Sequence, residues 1–160
     1  MTVNDLLASG LQQGLGMLKM HVADFSDAEL LVRPVPGANH ANWQLGHLIT
    51  SETQMMGGCG AAMPALPAGF AERYSKEAAK NDDAGKFATK AELLAVLEKT
   101  RAASVAFAKS ATAAQLAAPS PMVQMCPTVA DFIALGASHD AMHIGQIQVL
   151  RRKLGKPMLF

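Results

Sequence analysis

The sequence predicts an all-α fold, a four-helix bundle with short connector helices and a long loop between the second and third long helices. Three observations carry that reading. Helix-start signals led by Ser or Thr recur along the chain, apolar residues repeat at helical spacing, and alternating β-branched runs bounded by hairpin turns are nearly absent. No internal repeat, low-complexity tract or linker divides the sequence, so residues 1–160 are expected to form a single domain. A chain of that size buries roughly 70% of its unfolded surface and needs no disulfide or structural metal merely to fold.

The first long helix is expected from Thr2, an N-cap candidate, to near Ala23, with Leu7, Leu11, Leu15, Leu18 and Val22 along one stripe. Gly10, Gly14 and Gly16 weaken it locally. Ser26 and Glu29 form a capping-box pattern before a short helical connector that must stop near Arg33, because Pro34 and Pro36 disfavour continuation. The second long helix should begin between Asn39 and Asn42 and end at the glycines Gly57, Gly58 and Gly60. The connection 57–88 contains Pro64, Pro67 and one weakly helical stretch around 70–80; so long a connection is usually a lid, a binding loop or a crossover. Thr89 and Glu92 make another capping box, opening the third long helix with Leu93, Leu94, Leu97 and Phe107. Pro119, Pro121 and Pro127 break the chain before the fourth, which runs from Thr128 to Leu154 ahead of Gly155 and Pro157.

Composition narrows the function classes. A net charge of +1 gives no field to attract nucleic acid or anionic lipid, and the one dense basic cluster, Arg151, Arg152, Lys153 and Lys156, complements the negative end of a helix dipole. Aromatic residues are too sparse for a base-stacking platform, so no nucleic-acid partner is expected. Half of the residues are apolar, yet no uncharged run approaches the roughly 20 residues of a membrane span. The start, MTVNDLL, lacks a secretory signal, and Cys59 and Cys126 form no C-x-x-C pair; cytoplasm and free thiols are the expectation. Cys59, Met55, Met56 and Met63 read as packing residues.

The fourth helix carries the chemistry. At 100° per residue Phe132, Leu135, Gly136, His139, His143, Gln146, Ile147, Leu150 and Leu154 share one face, so two histidines point to the core. His139 and His143 lie one turn apart, about 6 Å along the axis, at chelating spacing. A lone inward histidine is usually satisfied by a backbone carbonyl. Two together leave several buried polar nitrogens, and one metal ion satisfies two of them. The segment H-D-A-M-H invites comparison with the zincin H-E-x-x-H, but no His, Asp, Glu or Cys follows His143 to supply a third ligand. A di-metal carboxylate centre needs E-x-x-H sequences, which are absent. A third ligand must come from upstream, from His21, His40 or His47, and periodicity alone does not choose among them. His47 shares a face of the second helix with His40, Trp43, Thr50 and Gln54, either solvated or turned toward a polar site.

The segment 39–52, N-H-A-N-W-Q-L-G-H-L-I-T-S-E, followed much later by H-D-A-M-H-I-G-Q-I-Q-V-L-R-R-K-L-G, resembles the DinB/YfiT-like superfamily of four-helix metalloproteins. The W-x-L-G-H and H-x-x-x-H-x-G-Q-I signatures match in order and separation, the R-P-x-P-G approach to the second helix matches too, and the likeness is weakest over 57–88. The resemblance implies one divalent metal ion (zinc, nickel or iron) bound by His47, His139 and His143. His40 departs from the family's usual polar residue ahead of the tryptophan and reads as an ordinary cap residue, and Trp43 reads as packing.

Several branches of that superfamily are thiol transferases or thiol-dependent isomerases, which implies a small-molecule substrate and a low-molecular-weight thiol cosubstrate. The physical logic is that a Lewis-acidic ion lowers the pKa of a thiol it binds. The same open site suits metal-dependent hydrolysis, and a bundle without a substrate pocket would be a non-catalytic metal-binding or stress-response protein. Ala134, Ala137, Ala141 and Gly145 line the opposite face of the fourth helix and suggest a homodimer.

Overall fold

The computed structural model describes residues 1–159. Its long helices are α1 (Val3–Val22), α3 (Ala41–Gly58), α5 (Lys90–Ser110) and α7 (Val129–Lys153), with short helices α2 (Asp27–Leu30), α4 (Phe70–Arg73) and α6 (Ala113–Ala117) between them. Two 3₁₀ turns, Ala78–Lys80 and Ala84–Lys86, lie in the 59–89 connection, and no strand occurs among the described residues beyond an isolated bridge of Pro119 with Thr128. No helix among them is long and apolar enough to cross a membrane.

Reciprocal capping boxes start four of the expected helices, Thr2 with Asp5, Ser26 with Glu29, Thr89 with Glu92 and Thr128 with Asp131. A fifth box, Thr112 with Gln115, starts α6, a short helix that was not anticipated ahead of the prolines from Pro119 onward. At α3 the cap is His40, whose Nδ1 accepts from the Trp43 amide at 3.0 Å while Nε2 donates to the Asn81 carbonyl at 3.2 Å. One imidazole thereby begins a helix and pins the long connection to it.

α1 and α3 each pack against both α5 and α7, so α1 faces α3, and α5 faces α7, across the bundle. The core is split in two. One apolar cluster contains Leu18, Leu45, Ile49, Leu97 and Ile147; the other contains Leu11, Met56, Val105 and Ile133. Between them, in mid-helix on all four elements, sits a polar layer. Arg101 of α5 donates from Nε and Nη2 to Glu52 of α3 at 2.8 and 3.0 Å, and from Nη1 to Asp140 of α7 at 2.8 Å and to the Leu11 carbonyl of α1. Burial opposes the Arg101 charge, but Glu52 and Asp140 outweigh it and hold the guanidinium protonated; burial pushes the Asp140 carboxyl up against the pull of Arg101. Gly14 makes the room, since a Cβ there would lie 2.1 Å from Asp140 Oδ2 and 3.2 Å from Arg101 Nη1.

One expectation for α7, its inward face, is corrected by this layer and its neighbour. Asp140 and Arg151 are buried while Gln146 is exposed, so the inward face is rotated from the apolar stripe. Arg151, in the basic last turn of α7, is 2% exposed, donates to Asp24 at 2.6 and 3.1 Å and to the His21 carbonyl at 2.8 Å, and ties α7 to the end of α1. On the other side of α7, Ala134, Ala141 and Gly145 are exposed, while Ala137 is half-buried, with its Cβ near Gly10 of α1.

Candidate metal centre

α3 and α7 pack side by side, and their contact brings His47, His139 and His143 together. His139 and His143 stand one turn apart with Nε2 atoms 3.2 Å from each other; the His47 ring centroid is 5.3 Å from that of His139 and 5.4 Å from that of His143. One potential ligand atom from each lies within 4.8 Å of the others. His143 is buried, His47 and His139 half-buried.

The hydrogen bonds around His143 fix its tautomer. Gln44, one turn before His47 on α3, uses its side-chain NH₂ to donate to the Asn39 carbonyl at 2.8 Å, which turns its Oε1 toward His143 Nδ1 at 2.9 Å. An oxygen there only accepts, so Nδ1 carries the proton and Nε2 presents a bare lone pair to the cluster. Burial, with the nearby His139 and His47, pushes the His143 imidazole down to about 3. Burial also lowers His139, and burial, His139 and the Lys76 ammonium lower His47. The three rings are therefore neutral donors near pH 7.

The donor set fits a borderline divalent ion. With a metal–nitrogen bond of about 2.1 Å, nitrogens separated by the observed 3.2 Å subtend about 100° at a shared ion, near the tetrahedral angle. The same bond length spans at most about 4.2 Å between two ligands, so a small rotation of His47 inward would complete the set. Three neutral imidazoles with no thiolate or carboxylate suit zinc, nickel or ferrous iron, and leave positions open for a further ligand.

Aromatic packing orients His47. Trp43, 4% exposed, stacks on it with ring centroids 4.8 Å apart and planes 7° from parallel, and the indole N–H donates to the Ser75 carbonyl at 2.9 Å. The cluster opens on a pocket of about 410 Å³ lined by Met55, Met122, Met125, Leu135, Met142 and Lys76, together with Ser51 and Gln54. A larger hollow of about 610 Å³ lies against segment 121–125 and shares Met122 and Met125.

The sequence profile of the DinB superfamily matches residues 11–147, a span that includes all three histidines. The chain belongs to the DinB superfamily. Its fold is similar to that of YfiT from Bacillus subtilis, described as a probable metal-dependent hydrolase with an unusual four-helix bundle topology, at 21% identity, with a TM-score of 0.73 over 96% of this chain and 89% of that one. It is also similar to a conserved protein from Enterococcus faecalis at 16% identity, with a TM-score of 0.68 over 98% and 99% of the two chains. Comparison with curated proteins gives no match.

Of the upstream histidines, only His47 stands with the α7 pair. His21 is buried near the end of α1 with Nδ1 2.8 Å from the Met17 carbonyl, and His40 caps α3. Asp140, in the position of a zincin glutamate, turns into the bundle toward Arg101 and away from the pocket. Cys59 packs against the second apolar cluster, and burial pushes its thiol up, away from thiolate. Met56 is core, whereas Met55 lines the pocket. Sequence reasoning missed Gln44 and Lys76. Gln44 was legible in principle, as a polar residue three positions from His47 within a helix whose neighbours are apolar. Lys76 carried no local signal.

Proposed function

We propose that this DinB-superfamily chain is a metal-dependent enzyme of the thiol S-transferase type, acting on a small molecule with His47, His139 and His143 as ligands of one zinc, nickel or iron ion. The observation that supports this reading is the pocket over His47 and His139, which is walled by thioethers and lined by no carboxylate. A divalent ion in that cluster supplies Lewis acidity, lowering the pKa of a thiol in contact with it. The chain's own contribution is to hold three neutral imidazoles toward one point, through Gln44 for His143 and Trp43 for His47, beside an apolar methionine wall. With no carboxylate in the pocket, general-base help for an attacking water is missing, which favours a thiol over water as nucleophile. Hydrolysis is the second reading, favoured by the fold likeness to YfiT across 96% of the chain.

The test compares metal-loaded protein with the His47→Ala/His139→Ala/His143→Ala variant. Each preparation receives candidate thiols with an epoxide or haloarene, and separately esters and amides without thiol. A thioether product formed only by the wild type supports the transferase reading. Thiol-independent hydrolysis moves the assignment to the second, and metal uptake with neither reaction leaves a non-catalytic metal-binding bundle.

A further inference from the structure

The pocket over the histidine cluster differs from the other hollows in how its one charge is placed. The hollow beside Val3 and Thr128 has no charged lining residue, and the one formed by segment 69–87 mixes Glu72 with Arg73 and Lys86. Over the histidines, Lys76 stands alone as the formally charged side chain among methionine and leucine walls.

Its position is built. The indole stacked flat on His47 also holds the Ser75 carbonyl at 2.9 Å, so the backbone one residue before Lys76 is fastened to the ring that orients a candidate ligand. The adjoining turn is fastened as well, by the Ala78 amide donating to Ser75 Oγ at 3.3 Å. Lys76 makes no ion pair within the described residues, and no acid of the pocket lining competes for it. Three neutral imidazoles, one ammonium and a divalent ion would give this wall a surplus of positive charge. Lys76, Met122, Met125 and Met142 are exposed, so the field of such a surplus is partly screened by solvent and acts at the mouth of the pocket.

We infer that the pocket takes a small ligand that carries a carboxylate on an apolar body, with the carboxylate on Lys76, the body on Met55, Met122, Met125 and Met142, and the reacting end toward His47 and His139. The inference rests on the metal-site reading above and adds the chemistry of the substrate. In a transfer between a thiol and an electrophile the carboxylate belongs to one of the two, and the probes separate these sources.

The experiment uses the cobalt(II)-loaded full chain and follows its visible d–d absorption during titration with 3-mercaptopropionate, 2-mercaptoethanol and cysteamine, which are acidic, neutral and cationic thiols. Calorimetry with hexanoate tests an acid without a thiol. Acidic over neutral over cationic is the expected order of affinity, with steps of about threefold to tenfold, the scale of a partly screened ion pair. Lys76→Met should collapse the order while leaving 2-mercaptoethanol affinity unchanged, and Lys76→Arg should keep it. Passing from 3-mercaptopropionate to 6-mercaptohexanoate should tighten binding to the wild type, and less so to Met122→Ser/Met125→Ser.

A Lys76-dependent gain for the acidic thiols places the carboxylate on the thiol; a Lys76-dependent gain for hexanoate alone places it on the acceptor. Equal affinity for the three thiols together with no Lys76-dependent hexanoate binding, or an order that survives Lys76→Met, overturns the inference while leaving the metal site standing. Failure of cobalt to bind in a histidine-dependent way removes the metal-site reading, and the inference falls with it.

Discussion

Gln44→Leu separates a ligand-orienting role for Gln44 from a packing role. Leucine is close to glutamine in size, so the 1% exposed position stays filled. What is lost is the acceptor 2.9 Å from His143 Nδ1, together with the donor to the half-buried Asn39 carbonyl. In the metal-free protein a buried N–H without a partner costs about 1–3 kcal/mol, and His143 escapes part of that by moving its proton to Nε2. That tautomer is the one that cannot bind a metal through Nε2, so the ion must drive the proton back to an unpartnered Nδ1. The expected result is a zinc affinity about 10- to 100-fold weaker, the usual range for loss of a hydrogen bond behind a ligating histidine, or about 1.4–2.7 kcal/mol. Competition against a chromophoric chelator measures it, with circular dichroism confirming native helicity and ¹⁵N chemical shifts of His143 reporting the tautomer. A folded variant with zinc affinity within about twofold of wild type would refute the argument, as would an Nε2–H tautomer in the metal-free wild type.

Gly14→Ala should destabilise by about 3 kcal/mol or more in urea unfolding, because its Cβ meets Asp140 Oδ2 at 2.1 Å, whereas Gly16→Ala, with nothing within 4 Å, should gain about 0.5–1 kcal/mol from helix propensity. Arg101→Met strands two buried carboxylates and should cost about 3–5 kcal/mol at pH 7. Burial raises Asp140 even in the wild type, so in Arg101→Met the folded chain binds protons that the unfolded chain has released; the deficit in its urea midpoint relative to wild type should narrow from pH 7 to pH 5. The histidines have the opposite sign. Their folded pKa values are depressed, so the neutral form persists below pH 6.5, and zinc affinity should change little between pH 7.5 and 6.5. Metal-free stability should fall as the pH drops below the unfolded value of about 6.5, where only the unfolded histidines take up protons.

The parts of the structure that were legible in the sequence are those fixed by residues a few positions apart. Thr89 with Glu92 and Thr128 with Asp131 announce helix starts because a cap and its third residue meet locally, and His139 with His143 announces a chelate because helical rise sets their separation. Thr112 with Gln115 shows the same signal, ahead of a helix of only five residues. His47 was not legible from spacing, since its distance from the α7 pair depends on how α3 packs on α7; only the family resemblance selected it. The inward face of α7 was misread for a related reason. Apolar periodicity counts Asp140 and Arg151 as outward residues, yet each is drawn inward by a distant partner, Arg101 of α5 and Asp24 of the turn after α1, that no local pattern reveals. Lys76 depends on longer-range structure still, a loop fastened through Ser75 to a tryptophan of α3.

The acids of the polar layer and the histidine cluster are carried by the same two helices, α3 and α7. Glu52 follows His47 by five residues on α3, and Asp140 is the residue after His139 on α7. Arg101 holds both acids from the opposite side, so its planar fork sets the rotation and the axial register of α3 against α7. Apolar packing would set register less sharply, because methylene surfaces slide past one another at small cost, whereas a slide of an ångström breaks a hydrogen-bonded guanidinium. The nitrogens of His47 and His143 come from different helices, and their separation is fixed by that register. A buried ion pair is a poor source of stability when hydrophobic residues could replace it, but it is a good source of registry. Its place in mid-bundle, one residue along from a candidate ligand, couples the spacing of the histidines to the three charges buried between the two apolar clusters.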